Sequence, residues 1–159
     1  MSKTITKTIQ TIVALNEVAW YDKEKDSYAG LSNMARFNLK RNMKALREIA
    51  DNFYEFRNEE DTKIREKFST DEMSEEKMIN DENGNEVPGR VVKDEYLDDL
   101  NKAREEAQSK LNEILNDTEE VSLYVISLED EIERADEKGI EIADSVMDMI
   151  SLFDSEDGE

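Results

Sequence analysis

The chain has 159 residues, of which 37% are hydrophobic and 39% are charged, so it is long enough for one domain with a modest core. Its formal net charge of −20 disfavours binding to phosphate backbones and to anionic membranes, because both favour Lys and Arg. Cys and His are both absent, which excludes disulfides, Cys/His zinc sites, thiol nucleophiles and Ser-His-Asp relays.

The N-terminal segment, residues 4–21, carries apolar side chains at helical spacing and is predicted to form a helix. Its Thr and Ile content also suits a strand. The charged residues 22–26 are predicted to form a loop. The N-terminus lacks the unbroken apolar core of a signal peptide, and no later run approaches the length of a membrane span, so we expect a cytoplasmic protein.

Residues 31–68 are predicted to form one long amphipathic helix, about 55 Å long at 1.5 Å per residue. Ser27 and Ser32 are the candidate N-caps, since Gly30 weakens the first turn. A helix of this kind needs its apolar stripe covered by other segments or by another chain. The stripe advances in steps of three or four residues through Leu31, Ala35, Leu39, Met43, Leu46, Ala50 and Phe53, with Ile64 and Phe68 still in phase.

Two segments after the long helix complete its predicted environment. In residues 78–92, Asn83-Gly84 favours a turn with positive φ, and short apolar flanks predict a small hairpin. Residues 94–115 predict a second helix, with acids in its first turn where the helix dipole favours them. Its apolar stripe is the natural partner for the long helix, and the hairpin between them allows antiparallel packing.

The C-terminal third begins with the best strand candidate, residues 121–126. Ser127-Leu128-Glu129-Asp130 then resembles a capping box that opens a short acidic helix ending at Gly139. A final helix is predicted over residues 143–153, before an acidic mobile tail at residues 154–159. We therefore predict a mainly α protein in which residues 1–153 form a single helical domain. A long central helix packs on an antiparallel partner, with additional N- and C-terminal helices and a minor β element.

Several short motifs suggest a family. They are Ala14-Leu15-Asn16, Ser27-Tyr28-Ala29, the loop Asp81-Glu82-Asn83-Gly84-Asn85, and the strand-to-helix passage Leu123-Tyr124-Val125-Ile126-Ser127-Leu128-Glu129. In their order, the chain resembles a family of small proteins of phages and prophages of Gram-positive bacteria. The resemblance implies a phage origin, the host cell cytoplasm, and a role either in interference with host machinery or in virion production. That family has no established activity and no catalytic residues to carry over.

The charge is strongly polarised along the chain. Residues 1–50 contain nine basic and five acidic residues, whereas residues 94–159 contain five basic and 23 acidic residues. One interpretation is that acidic faces keep a small helical protein soluble. The other is a nucleic-acid mimic, whose carboxylates imitate phosphates and occupy a basic groove. The candidate partner-binding acids are Asp98, Asp99, Glu105, Glu106, Glu129, Asp130, Glu133, Asp136, Glu137, Asp144 and Asp148.

The long helix also carries a basic patch. Because net charge opposes nucleic acid over longer range, we expect this patch to pair with the acidic helix that starts at Asp94, within the chain or across a dimer. The contrary interpretation is direct contact with nucleic acid or a membrane. The patch consists of Arg36, Lys40, Arg41, Lys44 and Arg47.

Acidic runs also suggest a metal or a catalytic carboxylate, but neither is predicted here. Adjacent residues on a helix point about 100° apart and do not converge on one ion. Asp81 opens a segment like a calcium loop, but Glu86 stands where the required Gly belongs and Val92 where the Glu belongs. We therefore predict no metal, no cofactor and no enzymatic activity.

The predicted function is non-enzymatic: a phage-type accessory protein of the inhibitor or anti-defence type. Its partner is a protein with a basic surface, such as a nuclease or another nucleic-acid-binding protein, and it makes no direct contact with nucleic acid or membrane. The alternative is a morphogenesis protein, an assembly chaperone or connector that acts through its long helix. Met34, Phe37, Ile49 and Phe56 widen the apolar surface of that helix and suggest a homo-oligomer or a standing partner.

Overall fold

The computed structural model describes residues 2–24 and 30–151, without the side chains of residues 18–24, 145, 148 and 149. It is mainly helical, and the predicted fold class is confirmed. The elements in chain order are β1 (Ser2–Thr8), α1 (Ile9–Glu24), α2 (Asn33–Phe68), β2 (Ser74–Asn80), β3 (Glu86–Val92), α3 (Leu97–Asn116), β4 (Thr118–Tyr124), α4 (Leu128–Lys138) and α5 (Asp144–Ser151). A short 3₁₀ turn, Asp94–Tyr96, precedes α3.

The chain forms two compact units. The first unit combines Met1–Asn52 with Leu115–Glu159, and the second unit is Phe53–Ile114. Each unit contains one two-stranded antiparallel sheet: β1 with β4 in the first, and β2 with β3 in the second.

The start of the chain differs from the prediction. Residues 4–8 are not helical but belong to β1, which pairs with β4 so that Ile5 lies opposite Val121. Threonines on the exposed face and Ile5 on the covered face fit a pleated, half-buried surface, and this pairing outweighs the helical spacing. The predicted loop at residues 22–26 is also wrong at its start, because α1 continues to Glu24. Residues 25 and 26 lie outside the described ranges.

The long helix is confirmed as α2, which begins two residues later than predicted. Ser32 is its N-cap, because the Ala35 N–H donates to Ser32 Oγ over 3.2 Å. The other candidate cap, Ser27, lies outside the described residues. Glu131 of α4 also reaches this end of the helix, where its two carboxylate oxygens accept hydrogen bonds from the Ser32 N–H (2.8 Å) and from Ser32 Oγ (2.6 Å).

The core of the first unit assembles on the N-terminal half of α2. Leu39 and Leu46 are almost completely buried there, together with Leu123 of β4. Asn42 fixes β4 against the helix: its Oδ1 accepts from the Tyr124 N–H over 2.6 Å, and its Nδ2 donates to the Tyr124 carbonyl over 2.9 Å. The other buried members of this core are Ile12, Leu31, Ala35, Met43, Val121, Ile126, Ala135, Ile142, Val146 and Ile150.

The predicted strand at residues 121–126 is displaced toward the N-terminus, since β4 ends at Tyr124. The end of the pairing with β1 sets this limit, and Ile126 is buried in the chain that leads into α4. Ser127 is confirmed as the N-cap of α4, because its Oγ accepts from the Asp130 N–H, and Gly139 ends α4 with a φ of 67°. α5 confirms the final helix as far as Ser151, while the tail at 154–159 lies outside the described residues.

In the second unit, the C-terminal half of α2 lies antiparallel to α3, as predicted. Glu60 pairs with Lys110, and near the other end of the two helices Phe68 and Leu100 line one cleft. The hairpin is confirmed but longer than predicted, because β2 begins at Ser74. Its turn places Gly84 at a φ of 79°, the positive value that the Asn-Gly pair predicts.

Glu60 is a buried acid of the second unit whose ionised form is stabilised by two lysines. Its buried carboxylate accepts from Lys63 Nζ at 3.2 Å and from Lys110 Nζ at 3.3 Å. These hydrogen bonds, Lys63 first, lower the pKa of Glu60 below its usual value of 4.5. A carboxyl group with a lowered pKa in the folded state stabilises that state above its unfolded pKa, and it loses this contribution as the pH falls through the folded pKa.

We therefore expect a pH-dependent difference between wild type and Glu60→Gln. The difference between the two proteins in free energy of unfolding should be constant above about pH 5.5. It should narrow as the pH falls through and below the ordinary pKa of a Glu carboxyl group. Urea unfolding between pH 3 and 7 measures this difference. Glu59→Gln, an exposed neighbour, is the control and should give no such narrowing. A gap for Glu60→Gln that is equal at pH 3 and pH 7 contradicts the prediction.

Candidate functional site

The candidate site of the first unit is a stripe of acids on α4, called the α4 stripe. At 100° per residue, its members lie within a sector about 120° wide, and each of them is exposed. On the opposite side of the helix, Glu131 and Ala135 are buried. The stripe consists of Glu129, Asp130, Glu133, Asp136 and Glu137.

No ion pair neutralises the α4 stripe within the part of the chain that the structure describes. The two basic residues of the helix, Arg134 and Lys138, lie outside the 120° sector. Lys138 occupies the last turn, where the helix dipole favours a cation. The negative potential of the stripe is therefore directed to solvent.

The linear density of charge on the α4 stripe approaches that of nucleic acid. Its five carboxylates span residues 129–137, which is about 12 Å of helix, or one charge per about 2.4 Å. Duplex DNA carries one phosphate charge per about 1.7 Å of axis. The helix backbone also holds these groups in a fixed order, since α4 is capped at both ends.

A shallow depression lies beside the α4 stripe. Leu128 and Ile132 line it together with Glu129, Glu133 and Asp136. Ile132 is partly exposed, so a partner that binds the carboxylates also meets an apolar surface. This arrangement favours a folded protein partner over a simple counterion.

The second unit contains another acidic face, called the α3 face, formed by Asp98, Asp99, Glu105 and Glu106. All four side chains are exposed and lie on the opposite side of the helix from the buried residues Leu100, Ala107 and Leu111. Among the described residues, none of the four forms an ion pair. Lys102 lies within the same sector, so this face is less uniformly negative than the α4 stripe.

Two predicted acids belong to α5. Asp144 is exposed in the first turn of the helix, where its charge is favourable at the N-terminus. The side chain of Asp148 lies outside the described residues. The position of Asp144 is explained by helix stability alone.

The basic patch of α2 divides into two environments. Arg36, Lys40, Lys44 and Arg47 are exposed, and Arg47 forms an ion pair with Asp51 over 3.6 Å. Arg41 is half-buried, and its guanidinium carbon lies 3.4 Å from the Tyr124 ring centroid and 4.5 Å from that of Phe37. Arg41 therefore has a packing role, whereas pairing of the patch with the acidic helix from Asp94 stays a prediction.

Sequence reasoning missed a further group of cations in the second unit. Arg65, Arg90 and Arg104 line one cleft, although they come from α2, β3 and α3. No spacing in the sequence connects these three positions, because only the packing of the elements brings them together. The periodicity of α3 gives a partial signal, since Arg104 lies next to the buried face of Leu100 and Leu111.

The described part of the chain shows neither a metal site nor a membrane span. Within residues 2–24 and 30–151, no three acids form a group that could hold a metal ion. No helix of that part of the chain is both long enough and apolar enough to cross a membrane. Comparison of the chain with protein-family models, with curated proteins and with solved structures found no match.

Proposed function

We propose that this chain is a non-enzymatic, phage-type accessory protein that binds a basic, nucleic-acid-handling protein of the host cytoplasm through a surface that mimics nucleic acid. The observation that carries the proposal is the α4 stripe. Its five exposed carboxylates have a charge density near that of DNA, and no ion pair among the described residues reduces it.

Such a stripe gives affinity by the same physical route as DNA. An empty basic groove is hydrated and attracts anions from solution, and a matching array of carboxylates displaces those counterions on binding. The α3 face provides a second array of the same type. Charge of one sign also speeds encounter with a basic partner, because attraction acts over about a Debye length.

The proposal is tested by capture from the lysate of a Gram-positive bacterium. Proteins retained on the immobilised wild-type chain should be enriched in nucleic-acid-binding proteins and should be released by duplex DNA, which competes for the same groove. The variant Glu129→Lys/Glu133→Lys/Glu137→Lys should not retain them, because it reverses the α4 stripe. A control with the same change of charge is Glu48→Lys/Glu120→Lys/Glu141→Lys, which alters exposed acids of the first unit outside α4.

Two results oppose the proposal. One is a partner that both triple variants retain equally, and the other is a partner that binds the chain and DNA at the same time. Helicity of the variants, measured by circular dichroism, separates a loss of binding from a loss of fold.

The exposure of two residues on α2 favours a second candidate function, assembly. Met34 and Phe37 are 64% and 54% exposed in the first turns of the helix. Large apolar side chains this accessible suit contact with another chain. In this case the captured partner is a virion component or a second copy, and Met34→Ser/Phe37→Ser abolishes binding while reversal of the α4 stripe does not.

A further inference from the structure

The second unit contains a cleft of about 400 Å³, within the range of sites that bind small molecules. The end of α2, the hairpin and the start of α3 line it. Its apolar lining includes Phe68 and Leu100, which are 3% and 7% exposed, and the half-buried Val91 and Val92. This lining offers a ligand a surface made largely of hydrocarbon.

The charge of the cleft is opposite to that of the unit around it. Residues 53–114 contain 19 acids and ten basic residues, yet Arg65, Arg90 and Arg104 line the cleft with only Asp61 as an acid. Arg90 pairs with the exposed acids Asp71 and Glu76, whereas Arg65 and Arg104 are exposed and have no ion-pair partner among the described residues. An anion bound in the cleft is attracted by these guanidinium groups.

Arg90 is held in position for such a role. Its Nε donates to Ser74 Oγ over 3.0 Å, and a terminal nitrogen donates to Asp71 over 2.8 Å. Ser74 is buried and in turn donates to the Thr70 carbonyl over 2.8 Å, so the hydroxyl that orients the guanidinium is itself fixed. The Asp71 side chain is fully exposed, so water screens its attraction for Arg90.

Arg65 and Arg104 provide donors that acids of the described chain do not occupy. Neither residue has an ion-pair partner in that part of the protein, and Asp61 is not within pairing distance of them. Arg65 makes a long contact of 3.4 Å with Thr62 Oγ1. A guanidinium group has five N–H donors in a planar fork, which suits carboxylate, phosphate and sulfonate groups.

We propose that this cleft binds a small amphipathic organic anion. The apolar body of the ligand packs on Phe68 and Leu100, and its anionic head accepts hydrogen bonds from Arg65 and Arg104 beside the fixed Arg90. The inference does not depend on the proposed function, because it concerns a surface whose charge is opposite to that of the α4 stripe and the α3 face.

The test uses a matched pair of fluorescent probes. 8-Anilinonaphthalene-1-sulfonate has an aromatic body and a sulfonate, and N-phenyl-1-naphthylamine has the same body without the charge. The sulfonate probe should bind one site per chain, and Arg65→Gln/Arg104→Gln should weaken it at least tenfold. The neutral probe should bind more weakly to the wild type and should be unaffected by this double substitution.

The control is Arg57→Gln/Lys102→Gln, which removes two exposed cations of the same unit outside the cleft. It should change the affinity for the sulfonate probe less than twofold. If it weakens the probe as much as the cleft variant does, or if the cleft variant binds like wild type, the proposal is overturned. Arg104→Lys keeps the positive charge but removes the planar set of guanidinium donors. If the double variant does not fold, the affinity of Arg104→Lys for the sulfonate probe is compared with that of wild type.

Nuclear magnetic resonance of the wild type locates the site without any substitution. Methyl signals of Val91, Val92 and Leu100 should shift as the sulfonate probe is added, and shifts confined to other methyl groups overturn the proposal.

Competition experiments then define the chemical class of the ligand. Octyl phosphate and octanoate should displace the probe and show which head is preferred, whereas displacement by inorganic phosphate at equal concentration contradicts an amphipathic ligand.

Discussion

Replacing Glu131 with alanine should lower the free energy of unfolding by about 3 kcal/mol. The side chain is 7% exposed and accepts hydrogen bonds from both the N–H and the hydroxyl of Ser32. Its removal leaves the Ser32 N–H without this partner at the beginning of α2 and creates a cavity where α4 meets that helix. Urea unfolding followed by circular dichroism at pH 7 measures the change.

Glu129→Ala is the matched control, because it removes the same side chain two residues earlier from an exposed position of the same helix. It should change stability by about 0.5 kcal/mol or less. Glu131→Gln keeps the shape and one good acceptor, so its loss should lie between the two alanine variants. Equal losses for the two alanine variants would show that the contact with Ser32 contributes little.

The different environments of Glu129 and Glu131 were only partly predictable from the sequence. Glu129, Asp130 and Glu131 are adjacent acids, and their chemistry alone does not distinguish them. The helical period places Glu131 on the side of Ala135 and away from the α4 stripe, so its burial had a signal in the sequence. No signal in the sequence indicated its hydrogen-bond partner, because Ser32 lies 99 positions earlier in the chain.

The long helices were also predictable from the helical period of their apolar residues. α2 and α3 repeat an apolar stripe over many turns, so the pattern identifies both the helix and its buried face. β1 has seven residues, and its identity depends on pairing with β4 more than 100 positions away. Local composition allowed both helix and strand there, and tertiary pairing decided between them.

The sequence predicted which acids are exposed, but it did not predict the electrostatic potential that they produce together. Periodicity placed the α4 stripe and the α3 face away from the core, and the structure finds their described members exposed. Whether cations neutralise such acids depends on the three-dimensional positions of Arg and Lys. The same limit hid the cleft, which Arg65 and Arg104 line together only because α2 and α3 are packed side by side.

The affinity of the captured partner should fall steeply with salt. If its groove contacts all five carboxylates of the α4 stripe as it contacts phosphates, raising the salt from 50 to 200 mM should weaken binding on the order of 500-fold, at a slope of about −0.9 per contact. Calorimetric titration at several salt concentrations gives this slope. An affinity that hardly changes with salt points instead to apolar contacts, such as those that Met34 and Phe37 offer.

Charge reversal assigns the slope to particular acids. Glu129→Lys/Glu133→Lys/Glu137→Lys should abolish measurable binding at 150 mM salt, because it replaces three attractive contacts with repulsive ones. Reversal of Asp98, Asp99, Glu105 and Glu106 to Lys tests the α3 face separately. A partner that uses only one face loses its affinity with one of these variants and keeps its salt slope with the other.

Leu111→Ala should instead lower the free energy of unfolding by about 2–5 kcal/mol, because its side chain is buried in the second unit. A loss of binding at full helicity therefore identifies the carboxylates themselves as the contact surface.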